Sequence, residues 1–369
     1  MAWVIAIGGI ILLIILHEAG HFFAAKAVGM RVERFSLFFP PTLISFKRGE
    51  TEYAIGAIPA GGYVKITGMS PEELADLDPE LTRRAYYAQK PWKRIVVILA
   101  GPGTNLLIAL VIFTAVLWSG NLGGANTIGN LAPQVTTLAA GTSVDELVAG
   151  EPAIGKLRLG DRIISVDGHK ATGNLIIKTI VGDSCAGSPV QGCRAAKPLN
   201  LIVKRNGATR SVTIYPQYER ETHKMMVGIV LAEARPFGFF GALGAGAATM
   251  WSITESTLTG LAHAVTSAKV RSHLHSIVGI AQVTEQAVAA GPAYGFVILG
   301  LVSMILGVIN LFPFLPLDGG HVLWSVAEKL RGGRVSTQAM WRFSSVGIVL
   351  LVFLVVSGIS NDVSRLSGG

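Results

Sequence analysis

The sequence predicts a polytopic α-helical membrane protein of about four transmembrane helices, with an inserted β-hairpin and one separate α+β domain. Three observations carry this reading. Of 369 residues, 50% are apolar and only 15% charged, with a mean hydropathy of +0.52, whereas a soluble globular chain is about 25% charged. Several stretches reach the roughly 20 apolar residues that a bilayer core demands. Between them, short apolar runs alternate with turn dipeptides, the pattern of a small sheet. The net charge of +8 suits an anionic membrane surface, and in so apolar a chain this partner is preferred to nucleic acid, which is not expected to bind. An ordinary cytosolic enzyme and a disordered chain are both excluded. Two cysteines leave neither a disulfide framework nor a cysteine-based zinc module.

The elements follow in order. Residues 1–28 form the first span: Met1 to Leu16 is uncharged and no lysine or arginine precedes Lys26, so an uncleaved helix is expected rather than a secretory signal. Residues 29–94 form a loop. Within it, Thr51 to Ile58 and Tyr63 to Ile66 read as a hairpin about the glycine-rich turn Pro59-Ala60-Gly61-Gly62. Ser70-Pro71-Glu72-Glu73 reads as a capping box that starts a helix. Residues 95–118 are the second span, introduced by Trp92-Lys93-Arg94 as an interfacial anchor. Residues 119–235 hold the sheet domain, in which Asn206-Gly207 between two apolar runs signals a hairpin. Residues 236–293 read as interfacial amphipathic helices, with a fifth span as the alternative for 238–265. Residues 294–330 are a third span broken by Pro313 and Pro316, and residues 331–369 hold the fourth, centred on Phe343 to Val356.

Basic residues set the topology. Met30 to Arg94 carries ten, and the link after the third span adds Lys329, Arg331, Arg334 and Arg342. Four spans put both loops on one face, and the positive-inside rule makes that face cytoplasmic. The sheet domain is then extracytoplasmic. On that oxidising side, Cys185 and Cys193 are expected to form a disulfide. His263, His273 and His275, beside Lys269 and Arg271, read as a headgroup-facing surface rather than a second metal site.

The first span contains His17-Glu18-Ala19-Gly20-His21. Positions i and i+4 share a helix face, so two imidazoles can hold one zinc while the glutamate reaches a bound water. Ionisable groups inside an apolar span are costly and mark function. Hydrolytic zinc usually takes three protein ligands, and Asp318, in the third span beside two prolines and two glycines, is the prime candidate for the third. His321 is the competing one.

These residues resemble the site-2 proteases, zinc metalloproteases that cut within membranes. The resemblance rests on His17-Glu18-x-x-His21, Gly101-Pro102-x-x-Asn105, and Asn310-x-x-Pro313 followed by Asp318-Gly319, and covers nearly the whole chain. One departure is the second proline, Pro316, which lies three residues after Pro313 where other members have two. The resemblance implies one Zn2+ held by His17, His21 and Asp318, with Glu18 as the general base. Asn105 and Asn310 would hold substrate backbone or the oxyanion. The hairpin would dip toward the site and clamp an extended substrate by strand addition, through Ile55, Ala57, Gly61, Gly62 and Tyr63.

Leu159-Gly160-Asp161-Arg162-Ile163-Ile164-Ser165-Val166-Asp167-Gly168 resembles a bacterial PDZ domain, one that would bind a free C-terminus or exclude uncut substrates. The chain looks most like the short, single-PDZ bacterial branch in the plasma membrane. That branch cuts single-span anti-sigma factors after a first extracytoplasmic cleavage. A catalytically idle PDZ adaptor would dispense with Glu18 or a ligand, and a metal transporter would need no PDZ domain.

Overall fold

The computed structural model describes residues 2–366 apart from 71, 120–139, 188–189, 221–223, 234–236, 268–276 and 334. In chain order, α1 (Ala2–Ala27), β1 (Val32–Arg48), β2 (Thr51–Ile66) and α2 (Pro91–Ser119) come first. Next are β3 (Ala140–Leu147), β4 (Arg162–Val166), β5 (His169–Lys170), α3 (Gly173–Val181), β6 (Leu199–Arg205), β7 (Ala208–Ile214), β8 (Gln217–Glu219), β9 (Lys224–Met226) and β10 (Ile229–Glu233). The chain ends in α4 (Phe239–Thr266), α5 (Ile277–Ala290), α6 (Pro292–Asn310), α7 (Asp318–Arg331) and α8 (Thr337–Leu366). Two compact units result, Met1–Ile112 with Met250–Gly369, and Phe113–Thr249.

In the first unit, α1, α2, α6 and Gln338–Ser364 of α8 are long and apolar enough to cross a membrane. α4 is a continuous helix of 28 residues and is not in that set. On α1 the buried residues include Leu13, His17, His21 and Ala25, a narrow stripe with a spacing of four; most of its other side chains are apolar and outward. The helices approach closely where side chains are small. A Cβ at Gly20 would lie 2.5 Å from the Ala100 carbonyl oxygen of α2, and one at Gly307 of α6 would lie 3.2 Å from the Pro102 oxygen. Ser303 of α6 donates to the Asn105 carbonyl at 2.9 Å, three residues beyond Pro102, which lies inside the continuous helix α2.

β1 and β2 are longer than a simple hairpin needs, and each bends to pair twice. Arg34, Phe35, Ser36 and Leu37 pair with Lys65, Val64, Tyr63 and Gly62 on one side and with Glu52, Tyr53, Ala54 and Ile55 on the other. The second half of β1, residues 44–48, closes over the first half of β2. The strand order is therefore 62–66, 32–37, 51–55, 44–48. This corrects the expected hairpin: 51–58 and 63–66 do not pair with each other, because the first half of β1 lies between them. The charged end of this sheet is tied by Arg34 to Glu52 at 2.7 Å and by Arg84 to Glu50 at 2.7 and 2.8 Å. Leu43, Ile44, Phe46 and Ile58 stand exposed.

Two further expectations are corrected. Glu73 N–H donates to Ser70 Oγ at 3.3 Å and Met69 N–H to the Glu73 carboxylate at 3.2 Å, yet only one 3-10 turn follows, Glu73–Asp76. Arg94 does not face headgroups but turns inward, 3% exposed, while Trp92 stays outside.

The second unit is an antiparallel sheet in the order β10-β3-β4-β6-β7, with β5 beside β4. Leu199, Leu201 and Val203 are buried while Asn200, Ile202 and Lys204 are exposed, the period of a one-sided strand. They share a core with Val144, Leu157, Ile163, Ile176 of α3 and Ile214. Asn206 and Gly207, at φ +48° and +86°, close the β6-β7 hairpin as a two-residue turn with both central residues left-handed requires. Buried Asp161 accepts two hydrogen bonds from Arg205, at 2.7 and 2.6 Å, which hold its carboxyl below the usual range. Cys185 and Cys193 are joined, Cα to Cα 5.9 Å.

Candidate metal centre

Two helices and one helix start build the site. α1 presents His17 and His21 one turn apart, and α7 begins at Asp318. His17 Nε2 and His21 Nε2 each lie 3.3 Å from Asp318 Oδ2 and 3.3 Å from each other. Asp318 Oδ2 is buried and, among the described residues, receives no well-directed hydrogen bond. The three atoms thus form an equilateral triangle of potential donors to one ion. A tetrahedral ion with bonds of roughly 2.0–2.1 Å has ligand-to-ligand edges of about 3.3–3.4 Å, so the donor set fits zinc in both chemistry and spacing. Among the described residues it is the one group of at least three His, Cys, Asp or Glu side chains close enough to hold a metal.

α2 orients the imidazoles. His21 Nδ1 donates to the Val97 carbonyl at 2.9 Å; a carbonyl only accepts, so Nδ1 carries the proton and Nε2 keeps its lone pair for a metal. His17 Nδ1 lies 3.1 Å from the side-chain amide of Asn105, which is fully buried and whose Oδ1 has no other donor. With the amide oxygen toward the ring, a choice set by the hydrogen-bond network, His17 is held in the same tautomer. Asn105 therefore meets the His17 ring. Gly101 leaves the space in which His21 sits, since a Cβ there would overlap the ring. Gly319 does the same for the turn before α7, where a Cβ would overlap the Leu311 and Phe312 carbonyls.

Glu18 is partly exposed beside His17. A Cβ at Gly62 would lie 2.8 Å from Glu18 Cγ, so the outermost segment of the bent sheet reaches the carboxylate. Of the hairpin residues singled out from sequence, Gly62 and Tyr63 belong to that outer segment. Gly61 enters it at φ +131°, and Tyr63 stacks on Phe39 at 5.6 Å. Ile55 is paired on both sides, with Leu37 and Ile44, so its backbone has no free edge. Ala57 is exposed near the bend. Asn310 is half-buried at the last turn of α6. His321 stands apart from the donor triangle, its ring edge-on to Tyr86 at 6.2 Å.

Residues 5–354 match peptidase family M50. The chain belongs to this family, the site-2 proteases. Relatives in the family include the regulator of sigma-E protease RseP of Salmonella typhimurium, 29% identical over 99% of this chain and 98% of its own length. The zinc metalloprotease Rip1 of Mycobacterium tuberculosis is 32% identical, over 87% of this chain and 84% of its own. The regulator of sigma-E protease RseP of Escherichia coli is 27% identical over 99% of this chain and 98% of its own. Family membership makes the protein a zinc metalloprotease of the membrane, and four apolar helices agree with that setting. Sequence motifs give no sign of the Val97 carbonyl, which acts through backbone. Gly101 lies in the Gly101-Pro102-x-x-Asn105 motif, but its role needs the fold. His273 and His275 lie outside the described residues.

Proposed function

We propose that the protein hydrolyses a peptide bond inside the transmembrane segment of single-span membrane proteins, using one zinc held by His17, His21 and Asp318. The observation that carries this is the triangle of three donor atoms at 3.3 Å with Glu18 beside it on the same apolar helix. When bound, a zinc ion acidifies water and polarises a carbonyl. Glu18 accepts the proton of the attacking water and returns it to the nitrogen of the leaving amine. Asn105 holds His17 in the ligating tautomer, and Asn310 faces the substrate backbone or the oxyanion. A helical substrate hides its peptide bonds, so it must be drawn out. Residues 62–66 offer a strand edge next to Glu18, and pairing there would present one extended segment to the site.

The second unit, with its antiparallel sheet, helix α3 and the Gly160-Asp161 turn, supports a PDZ reading. We place it outside the cell, with the 29–94 loop cytoplasmic. The Cys185 to Cys193 bond suits that compartment. The relatives named as sigma-E regulators favour an anti-sigma factor, trimmed by an earlier protease, as substrate. The test is cleavage of a tagged single-span anti-sigma segment by purified protein and by Glu18→Gln, with zinc measured in both. The reading expects zinc in both and cleavage by the parent alone. Cleavage by Glu18→Gln at the parental rate would remove Glu18 from its role, and an idle adaptor would cut nothing while keeping its partner bound.

A further inference from the structure

A buried charge cluster outside the donor set joins the two helices that share the site. Arg94, in the first turn of α2, is 3% exposed, and Glu328, on α7, is 7% exposed. The guanidinium donates to Glu328 Oε2 at 2.6 Å and to Ser325 Oγ at 2.9 Å. It stacks over Tyr87 at 4.8 Å and Tyr86 at 5.5 Å. Glu328 Oε1 accepts from the Val335 N–H at 3.4 Å, so both carboxylate oxygens are engaged. Burying such a pair is rarely a gain over apolar packing, and its best-attested use is to fix register.

The register at stake here is that of the metal ligands. α2 holds His21 through the Val97 carbonyl, one turn beyond Arg94, and His17 through Asn105. α7 begins at Asp318, ten residues before Glu328 on the same helix. The connection from α6, residues 311–317, is irregular and contains Pro313 and Pro316. Helices are stiff over this length, so fixing Glu328 and Ser325 to α2 fixes the direction from which Asp318 arrives. We infer that the Arg94 and Glu328 pair is a positioning device for the third zinc ligand, setting Asp318 against the two histidines. This rests on the proposed ligand set.

The test uses the full-length protein in detergent, stripped of metal. Zinc affinity is measured by chelator competition, the visible spectrum is recorded after cobalt(II) loading, and thermal unfolding is followed on the metal-free protein. The variants are Arg94→Lys, which keeps the charge but loses the fork, Glu328→Gln, and the double variant Arg94→Met with Glu328→Leu, which leaves no orphaned charge. Each is expected to bind zinc about tenfold more weakly, the size of effect usual for groups that orient ligands. The cobalt bands should shift while the double variant unfolds near the parental midpoint. Should a single variant fail to fold, the double variant decides. Parental zinc affinity and cobalt spectrum in a folded variant would make the pair a packing feature and overturn the inference. His17→Ala is measured alongside. If it binds zinc like the parent, the ligand set falls and the inference with it; if it loses zinc while the pair variants do not, the inference alone falls.

Discussion

Gly101→Ala is the most economical perturbation of the centre, because it adds one methyl group and no charge. In the structure that methyl would lie 2.5 Å from His21 Cε1 and 2.7 Å from Cδ2, and closer still to Nε2. Non-bonded carbons rest at roughly 3.5–4.0 Å, so the ring must retreat by about 1 Å. Neither neighbour yields easily, for His21 is anchored to the Val97 carbonyl and α1 meets α2 through Gly20. A metal site tolerates ligand displacements of about 0.2 Å. The ring therefore leaves the donor triangle, and zinc affinity is expected to fall by about 100-fold, the upper end for outer-shell changes. Chelator competition on the purified protein reads this directly, and cleavage should fall with zinc occupancy. Gly62→Ala is the matched control. Its methyl would press on Glu18 Cγ at 2.8 Å, leaving the ligands alone, so zinc should bind as in the parent while the rate drops by up to about 100-fold. Gly101→Ala with parental zinc affinity would refute the reasoning, since His21 would then not lie against Gly101 in the metal-bound protein.

Asn105→Ala should weaken zinc binding by about tenfold through loss of the partner that holds the His17 tautomer, with Asn105→Asp closer to the parent; equal affinity in all three would contradict that role. Arg205 holds the Asp161 carboxyl below its ordinary range. The pair therefore stabilises the second unit above the unfolded value of about 3.9, and that contribution is lost as pH falls through the folded pKa. Hydrogen-exchange protection of β4 and β6, taken relative to the intrinsic exchange rate at each pH, should fall below about pH 4 in the parent and lose this step in Asp161→Asn, and an unchanged step would count against the pair. Cys185 and Cys193 close a loop with a separation of eight residues, worth roughly 2.5 kcal/mol by chain entropy. Reduction should speed exchange in β8 and β9, which hang on this loop through the Tyr218 N–H to the Cys193 carbonyl; no change on reduction would refute the link.

The four long apolar helices and the His17, His21 and Asp318 cluster were legible because each leaves a local mark: an uncharged run, or ionisable residues in an apolar one. The Asn206-Gly207 turn was legible because left-handed backbone restricts residue choice. Three features were hidden because their cause is tertiary. The bent four-segment sheet depends on β1 folding back to cover residues 51–55, while the glycines at 61 and 62 advertise only a turn. Arg94 looks like an interfacial cation until Glu328, 234 residues away, and two tyrosines supply its shell. The helix expected after Ser70 stops after one turn although Ser70 Oγ accepts the Glu73 N–H, since a cap satisfies N–H groups but does not supply the packing that extends a helix. Asp362, polar in an apolar helix, likewise makes sense only with the fold, in which it accepts the Gly279 N–H at 3.0 Å.

The central claim is that His17, His21 and Asp318 alone hold one zinc. Zinc per chain, measured after mild chelation on the parent, His17→Ala, His21→Ala, Asp318→Asn and His321→Ala, tests it most directly. The account predicts one zinc in the parent and in His321→Ala, and none in the other three. A fully loaded Asp318→Asn, or an empty His321→Ala that remains folded, would contradict it.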